Sequence, residues 1–301
     1  MKNMKNIFYL IMFSFVFYSC DTEDDVIIET PSDISNLSVE GRKGGALLRW
    51  DVPADSSFTY LEVRYQKNEK KVVEKVSRFT DSLLVLGLIN AEEFVFEVQS
   101  VNDNGEATAV GRILATEPVR PLRRDLEVTY YQDELRQVQL TAEIIDTYTQ
   151  EVYEGPKENL LDGDPGTYWH TAWSSGVAPL PHWIQINFGE KTSLGAIKYM
   201  LRNSADPRGR PTKFGLDISE DGESWERVWE SVDNLPSSDV NKEYTIAFDK
   251  NYEAPYFRIM ILNNQSGGSA TFVHLSELSV YEMASSVVDM EELAEEEYYN
   301  Y

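Results

Sequence analysis

The sequence predicts an all-β protein made of two consecutive β-sandwiches, and three observations predict it. Apolar and polar residues alternate in short runs, Leu61, Val63 and Tyr65 against Glu62, Arg64 and Gln66, and Phe94, Phe96 and Val98 against Val95, Glu97 and Gln99, which is the period-two signature of half-buried strands. Turn-forming clusters such as Gly44-Gly45, Pro53-Ala54-Asp55 and Asn102-Asp103-Asn104-Gly105 divide the runs, as hairpins require. The 17 Tyr and 6 Trp favour strands and exposed stacking surfaces over helical bundles. A chain of 301 residues exceeds a typical single core, so two units of roughly 100 to 150 residues are expected.

The N-terminus reads as a targeting segment. Lys2 and Lys5 precede an apolar run from Ile7 to Tyr18, and the small Ser19 stands before Cys20, the order of a signal peptide. The run falls short of the roughly 20 residues a membrane span needs. Ser19-Cys20 resembles a lipoprotein lipobox, with Phe17 and Tyr18 bulkier than its usual residues. That resemblance implies loss of residues 1–19 and lipidation of Cys20. Residues 20–32 form an acidic tether whose Asp21-Thr22-Glu23-Asp24-Asp25 resembles the export tag of surface lipoproteins in glycan-degrading Gram-negative bacteria. The implied location is the cell outer membrane, lipid-anchored and surface-exposed. With one cysteine in the chain, no intramolecular disulfide can form and the fold must rest on packing. The net charge of −24 repels polyphosphate and excludes nucleic acid as a partner.

Residues 33–117 are expected to form the first domain. Leu48-Arg49-Trp50-Asp51, Leu61-Glu62-Val63-Arg64-Tyr65, Gly87-Leu88 and the run from Phe94 to Asn102 resemble fibronectin type III landmarks and imply an immunoglobulin-like sandwich with Trp50 in its core. Phe94 stands where that family keeps a corner tyrosine. The expected role is a spacer. Pro118 and Pro121 mark a linker over 118–134, because closely spaced prolines resist helix and central strand. Residues 284–301, with five glutamates and few apolar side chains from Val287 onward, are expected to be a disordered acidic tail.

Strand patterns return over 135–283, with Ile184, Ile186 and Phe188, then Phe214, Leu216 and Ile218, then Phe257, Ile259 and Ile261. The segment from Glu158 to Trp173, which contains Asp162-Gly163-Asp164-Pro165-Gly166-Thr167-Tyr168-Trp169-His170, is the most informative in the chain. With Pro181 to Gly189, Ser219 to Trp225 and Glu277-Leu278-Ser279-Val280-Tyr281, it resembles the discoidin (coagulation factor type C, galactose-binding-like) domain and implies a jelly-roll sandwich. Asp162 and Asp164 on a glycine turn, with Thr167, are hard oxygen donors suited to Ca²⁺; the resemblance implies a structural calcium ion with Glu277 completing its shell. The alternative is a metal-free turn capped by Thr167.

A saccharide offers an apolar ring face and a hydroxyl rim, so its site needs an aromatic platform and polar groups of fixed geometry. Trp173 is the candidate platform, His170 a hydroxyl partner and the forked Arg202 guanidinium a clamp for adjacent oxygens. The resemblance implies that same partnership, with Arg208 as a second basic residue (Arg210 in reserve) and Glu154 as an upstream acidic residue. His170 and Trp173 could instead be core residues. No nucleophile, metalloprotease or phosphate-loop motif is found, so a non-catalytic protein is expected. The reading is a glycan-capturing surface lipoprotein, with a galactose-type ligand and a neighbouring importer as partners. The rivals are a structural lipoprotein with a degenerate site and an adhesin, which would display apolar residues at its loop tips rather than His and Arg.

Overall fold

The computed structural model describes residues 29–55, 57–105 and 108–300. The expected signal peptide, Cys20 and the acidic stretch behind it lie outside the described residues. The chain divides into two compact units, one formed by residues up to Asp125 together with those from Met290 onward, the other by Leu126–Asp289.

In the first unit, β1 (Ser35–Arg42), β2 (Gly45–Asp51), β3 (Tyr60–Lys67), β4 (Lys70–Ser77), β5 (Ser82–Leu86), β6 (Glu97–Asp103), β7 (Thr108–Val110) and β8 (Leu114–Ala115) build two sheets. One runs β1-β2-β5 and the other β4-β3-β6-β7, with β8 also on β6. Alternation delivers Ala46, Leu48 and Trp50 from one sheet and Leu61, Val63 and Val98 from the other into a shared core, the construction of a two-sheet sandwich. The Trp50 indole is buried and donates to the Thr80 carbonyl at 2.8 Å, so its one polar atom is satisfied.

Two expectations need correction here. Residues 118–125 are not a free linker: Val119 exchanges two backbone hydrogen bonds with Phe94, and Leu122 donates to Arg42 and accepts from Gly44. The flanking prolines cannot donate, but Val119 and Leu122 can, and those N–H groups suffice. Nor are residues 284–301 a disordered tail. They finish a strand and then form helix α1 (Met290–Asn300). Tyr298 enters the first unit's core, its hydroxyl donating to Glu92 at 2.8 Å and accepting from the Asn68 N–H. The buried Glu291 carboxylate accepts from Asn90 N, Arg124 N and the Arg124 guanidinium, which compensates the cost of burying a charge.

The second unit contains β9 (Leu126–Val138), β10 (Ile145–Thr147), β11 (Trp169–His170), β12 (His182–Met200), β13 (Pro211–Ser219), β14 (Glu226–Glu230), β15 (Glu243–Asn264), β16 (His274–Leu275) and β17 (Glu277–Asp289). Its main sheet runs β14-β13-β15-β12-β17-β9, with β10 on β12. The expected linker residues from Leu126 onward are therefore strand, paired with β17 from Asp289 back to Val280. Inward residues Ile184, Ile186, Leu216, Phe257, Ile259 and Val280 meet Leu160, Trp169, Val273 and Leu275 from the opposing layer. Trp169 is fully buried, and truncating an indole so placed costs about 3–5 kcal/mol. In that layer β11 pairs with β16, setting His170 opposite His274. The pair fixes the floor on which the loops described next are mounted.

Candidate functional site

Glu154, His170, Trp173 and Arg202 line one surface hollow of about 230 Å³ together with Ser204, Asp206, Phe272 and His274. The structure thus brings four of the residues named from the sequence to the wall of one hollow, and Trp173 is 52% exposed rather than sealed in the core. Its Nε1 donates to one Glu154 oxygen at 3.2 Å, while the Tyr168 hydroxyl donates to the other at 2.6 Å. The Arg202 guanidinium lies 4.0 Å from that second oxygen and packs on the Tyr168 ring, 3.3 Å from its centroid. The Tyr168 hydrogen bond, with the Arg202 charge beside it, holds Glu154 below the usual carboxylate range against its partial burial. Glu154 is therefore an ionised acceptor, and its grip fixes both the indole and the phenol.

His170 forms the floor. It is 5% exposed and stacks on Phe272, with centroids 5.3 Å apart. Burial, with the Arg202 charge adding to it, lowers its pKa, and its Nδ1 sits 2.6 Å from the Thr171 carbonyl. A neutral ring whose Nδ1 donates to a carbonyl keeps Nε2 as an acceptor. Burial likewise pushes His274, 5.5 Å away, down to about 3, so two neutral imidazoles coexist without repulsion.

Residues that pattern reading passed over hold the rim in place. The buried Glu151 carboxylate accepts from the N–H groups of Trp173 and Ser174, both at 2.9 Å, from the Ser174 hydroxyl at 2.5 Å and from Val152 N at 3.1 Å. Those donors, the Ser174 hydroxyl first, pull its pKa down to about 2 despite desolvation. Gly155 has φ of +70°, and a Cβ there would stand 2.7 Å from the His170 nitrogen, so glycine is needed for the loop to lie against the floor. His182 is buried and its Nε2 donates to the Thr271 carbonyl at 2.6 Å, anchoring the segment that presents Phe272.

Other expected residues fall elsewhere. Arg208 does not line the hollow; it forms a bidentate pair with Asp206 and its guanidinium lies 5.8 Å from the Phe272 centroid. Arg210 is buried and donates to the Ser237 and Ser204 carbonyls, a scaffold role. Exposed apolar residues, which the adhesin alternative requires at its loop tips, do occur beside the hollow: Val152, Tyr153 and Val177 are 73%, 84% and 52% exposed. Each lies within a few positions of Glu154 or Trp173, on turns whose buried anchors leave the intervening side chains to solvent.

The acidic turn was expected to supply Asp162, Asp164, Thr167 and Glu277. Asp162 takes the Thr167 hydroxyl at 2.7 Å and Asp164 N at 2.8 Å, whereas the Asp164 carboxylate turns to Gly166 N at 2.8 Å. No cluster of three or more His, Cys, Asp or Glu side chains poised for a metal occurs among the described residues. Yet Oε1 of Glu277 is buried with no hydrogen-bond partner. Burial, then the charge of Asp162, pushes Glu277 up to about 7. An orphaned carboxylate oxygen held against a second carboxylate fits a hard divalent cation completed by carbonyls and water.

Residues 144–278 match the family model of the F5/8 type C domain, and residues 31–115 match a Domain of unknown function (DUF4959). A sialidase of Micromonospora viridifaciens is 28% identical over 148 residues, covering 48% of this chain and 22% of that protein, so the chain spans about a fifth of that relative's length. Among solved structures, CpGH89CBM32-5 of Clostridium perfringens, in complex with GalNAc-β-1,3-galactose, is 26% identical with TM-score 0.38, covering 46% of this chain and 93% of that one. The family 32 carbohydrate-binding module of NanJ from C. perfringens, in complex with galactose, is 24% identical with TM-score 0.37, covering 52% and 100%. The C-terminal domain of a chitobiase from Bacteroides fragilis is 24% identical with TM-score 0.36, covering 52% and 97%. The F5/8 type C match over residues 144–278 contains both the hollow and the acidic turn.

Proposed function

We propose that the second unit binds glycan without catalysing any reaction, a galactose-type sugar being the first ligand to test. One observation carries this reading: an exposed indole, an ionised carboxylate, a guanidinium and a neutral imidazole line a single shallow hollow. A sugar ring would lay its C–H face on Trp173, offer hydroxyl donors to Glu154 and His170, and accept from the Arg202 fork. The hollow buries little area, so single-site affinity is expected to be weak, on the order of millimolar, and raised by multivalent display. Calcium in this proposal is structural, held by the carboxylates of Asp162 and Glu277 with backbone oxygens of the turn, and supplies rigidity rather than chemistry. Lipidation at Cys20, surface display, a fibronectin type III-like spacer role for the first unit and delivery to a glycan importer belong to the same proposal, supported by the N-terminal sequence and the strand order of the first sandwich.

A glycan array with the whole chain tests the reading. Galactose-terminated glycans should bind, and Trp173→Ala should weaken them by about tenfold or more, since losing a stacking platform costs on the order of 1–2 kcal/mol. Binding unchanged in the variant overturns the platform. The exposed Val152, Tyr153 and Val177 favour a second reading, a protein ligand at the same rim. It predicts that Tyr153→Ser abolishes capture of that protein while sugar binding persists.

A further inference from the structure

A second hollow, of about 400 Å³, adjoins the first and shares Arg202 with it; Pro165, Tyr168, Met200, Asn203, Val240 and Asn241 are among its walls. Resting on the glycan-binding reading, we propose that this hollow is a subsite for a second sugar unit, so that the domain reads a glycan chain rather than a lone terminal residue.

The two hollows meet at Arg202 and Tyr168, where the guanidinium carbon lies 3.3 Å from the ring centroid. A guanidinium has five donors in one plane, and neither the 4.0 Å approach to Glu154 nor the ring contact consumes them all. Because Arg202 lines both hollows, a ligand spanning them would set its glycosidic linkage over the guanidinium, within reach of the donors left over. The second hollow carries the right chemistry for a neutral polyol. The amides of Asn203 and Asn241 make no side-chain hydrogen bond to any other described residue, and both residues are exposed. Each amide brings two donors and an acceptor, while Met200 and Val240 give an apolar patch for a ring face. No carboxylate lines this hollow, which sets it apart from the first and suits an inner unit with fewer free hydroxyl donors. The turn from Asp164 to Thr167, closed by its own hydrogen bonds, keeps the Pro165 wall in place, so the subsite is preformed.

The test compares galactose, β-1,4-galactobiose and β-1,4-galactotriose by calorimetry against the whole chain and its Asn203→Ala/Asn241→Ala double variant. The proposal expects the biose to bind about tenfold more tightly than galactose, the increment of one or two added hydrogen bonds with their ring contact. The double variant should lose that increment and keep galactose affinity unchanged. Equal affinity for all three sugars, or an increment that survives in the double variant, overturns the subsite while leaving the first hollow intact. No binding of any of the three overturns the galactose-type reading and the subsite with it. Both substitutions lie at exposed positions, and an unchanged melting temperature excludes misfolding as the cause of any loss.

Discussion

Two acidic turns in the second unit look alike in sequence and differ in what their carboxylates lack. Asp162-Gly163-Asp164 and Asp221-Gly222-Glu223 each place a glycine at positive φ, +73° and +75°, where an L side chain would be strained. At Asp221 one oxygen, Oδ1, takes three donors from its own loop, Glu223 N at 2.8 Å, Ser224 N at 2.7 Å and the Ser219 hydroxyl at 2.9 Å, and neither oxygen is buried without a partner. At the other turn Glu277 arrives from β17, meets the Asp162 carboxylate and keeps a buried oxygen with no partner. One turn is closed by protein donors and the other keeps a buried carboxylate oxygen unmatched. Acidic composition alone therefore does not single out the turn proposed to hold calcium; the buried unmatched acceptor does.

Calcium should produce the largest effect that separates the two turns. At saturation about a hundredfold above its dissociation constant, an ion bound to the native state alone adds about 2.7 kcal/mol, which for a unit of this size is a melting shift of about 5–10 °C. Calorimetry with EDTA and with excess CaCl₂ should show that shift in the transition of the second unit. No shift would make the two turns equivalent and remove the proposed ion. The rim of the hollow should follow the ion, since Thr167 and His170 lie on one short segment, so chelation should also weaken galactose binding.

Next in size is Glu277→Gln, which separates the ion from the charge it neutralises. Glutamine keeps the shape, removes the buried charge and can donate to Asp162, so in EDTA the variant should melt higher than the parent, by about 1 kcal/mol of stability. In calcium the order should reverse, because the variant has lost a ligand. A variant that melts lower under both conditions would show that Glu277 makes a favourable protein contact and that its oxygen is not an ion's.

The site's chemistry was legible in the sequence where it was local. His170, Trp173 and the acidic turn fall within a dozen residues, and the side-chain types alone restrict what such a loop can bind. Arg202 and Glu154 were reachable by resemblance. The supporting residues were not, because their partners are distant or their type is common. Glu151 is one of 51 acidic residues, and only its burial beneath the Trp173 and Ser174 amides distinguishes it. Phe272 and His274 reach the floor through a pairing that links Thr171 to Val273 across 102 residues. In the fold, alternation found the strands, but helix α1 was missed for the same reason. Its charge suggested disorder, while Glu291 and Tyr298 are held by Asn90 and Asn68, 201 and 230 residues earlier. The exposed Tyr153 and Val152 have the side chains of core residues, and only the burial of Glu151 beneath the Trp173 amide turns them outward.

The smallest effect tests the closed turn. Its three donors hold Asp221 down to about 2, against an ordinary value of 3.8, so the folded state binds its proton less readily than the unfolded state does. The stabilisation is then present above the unfolded value and lost as pH falls through the folded one. Asp221→Asn keeps one carbonyl acceptor but no charge, so thermal unfolding near neutral pH should show a modest drop in melting temperature, smaller than the calcium shift. The gap between variant and parent should narrow as pH falls from about 4 toward about 2. Added calcium should raise both proteins equally, because Asp221, unlike Glu277, has no buried oxygen without a partner. If Asp221→Asn instead abolishes the calcium response, the ion belongs to the Ser219–Ser224 turn, and the contrast between the two turns runs the other way.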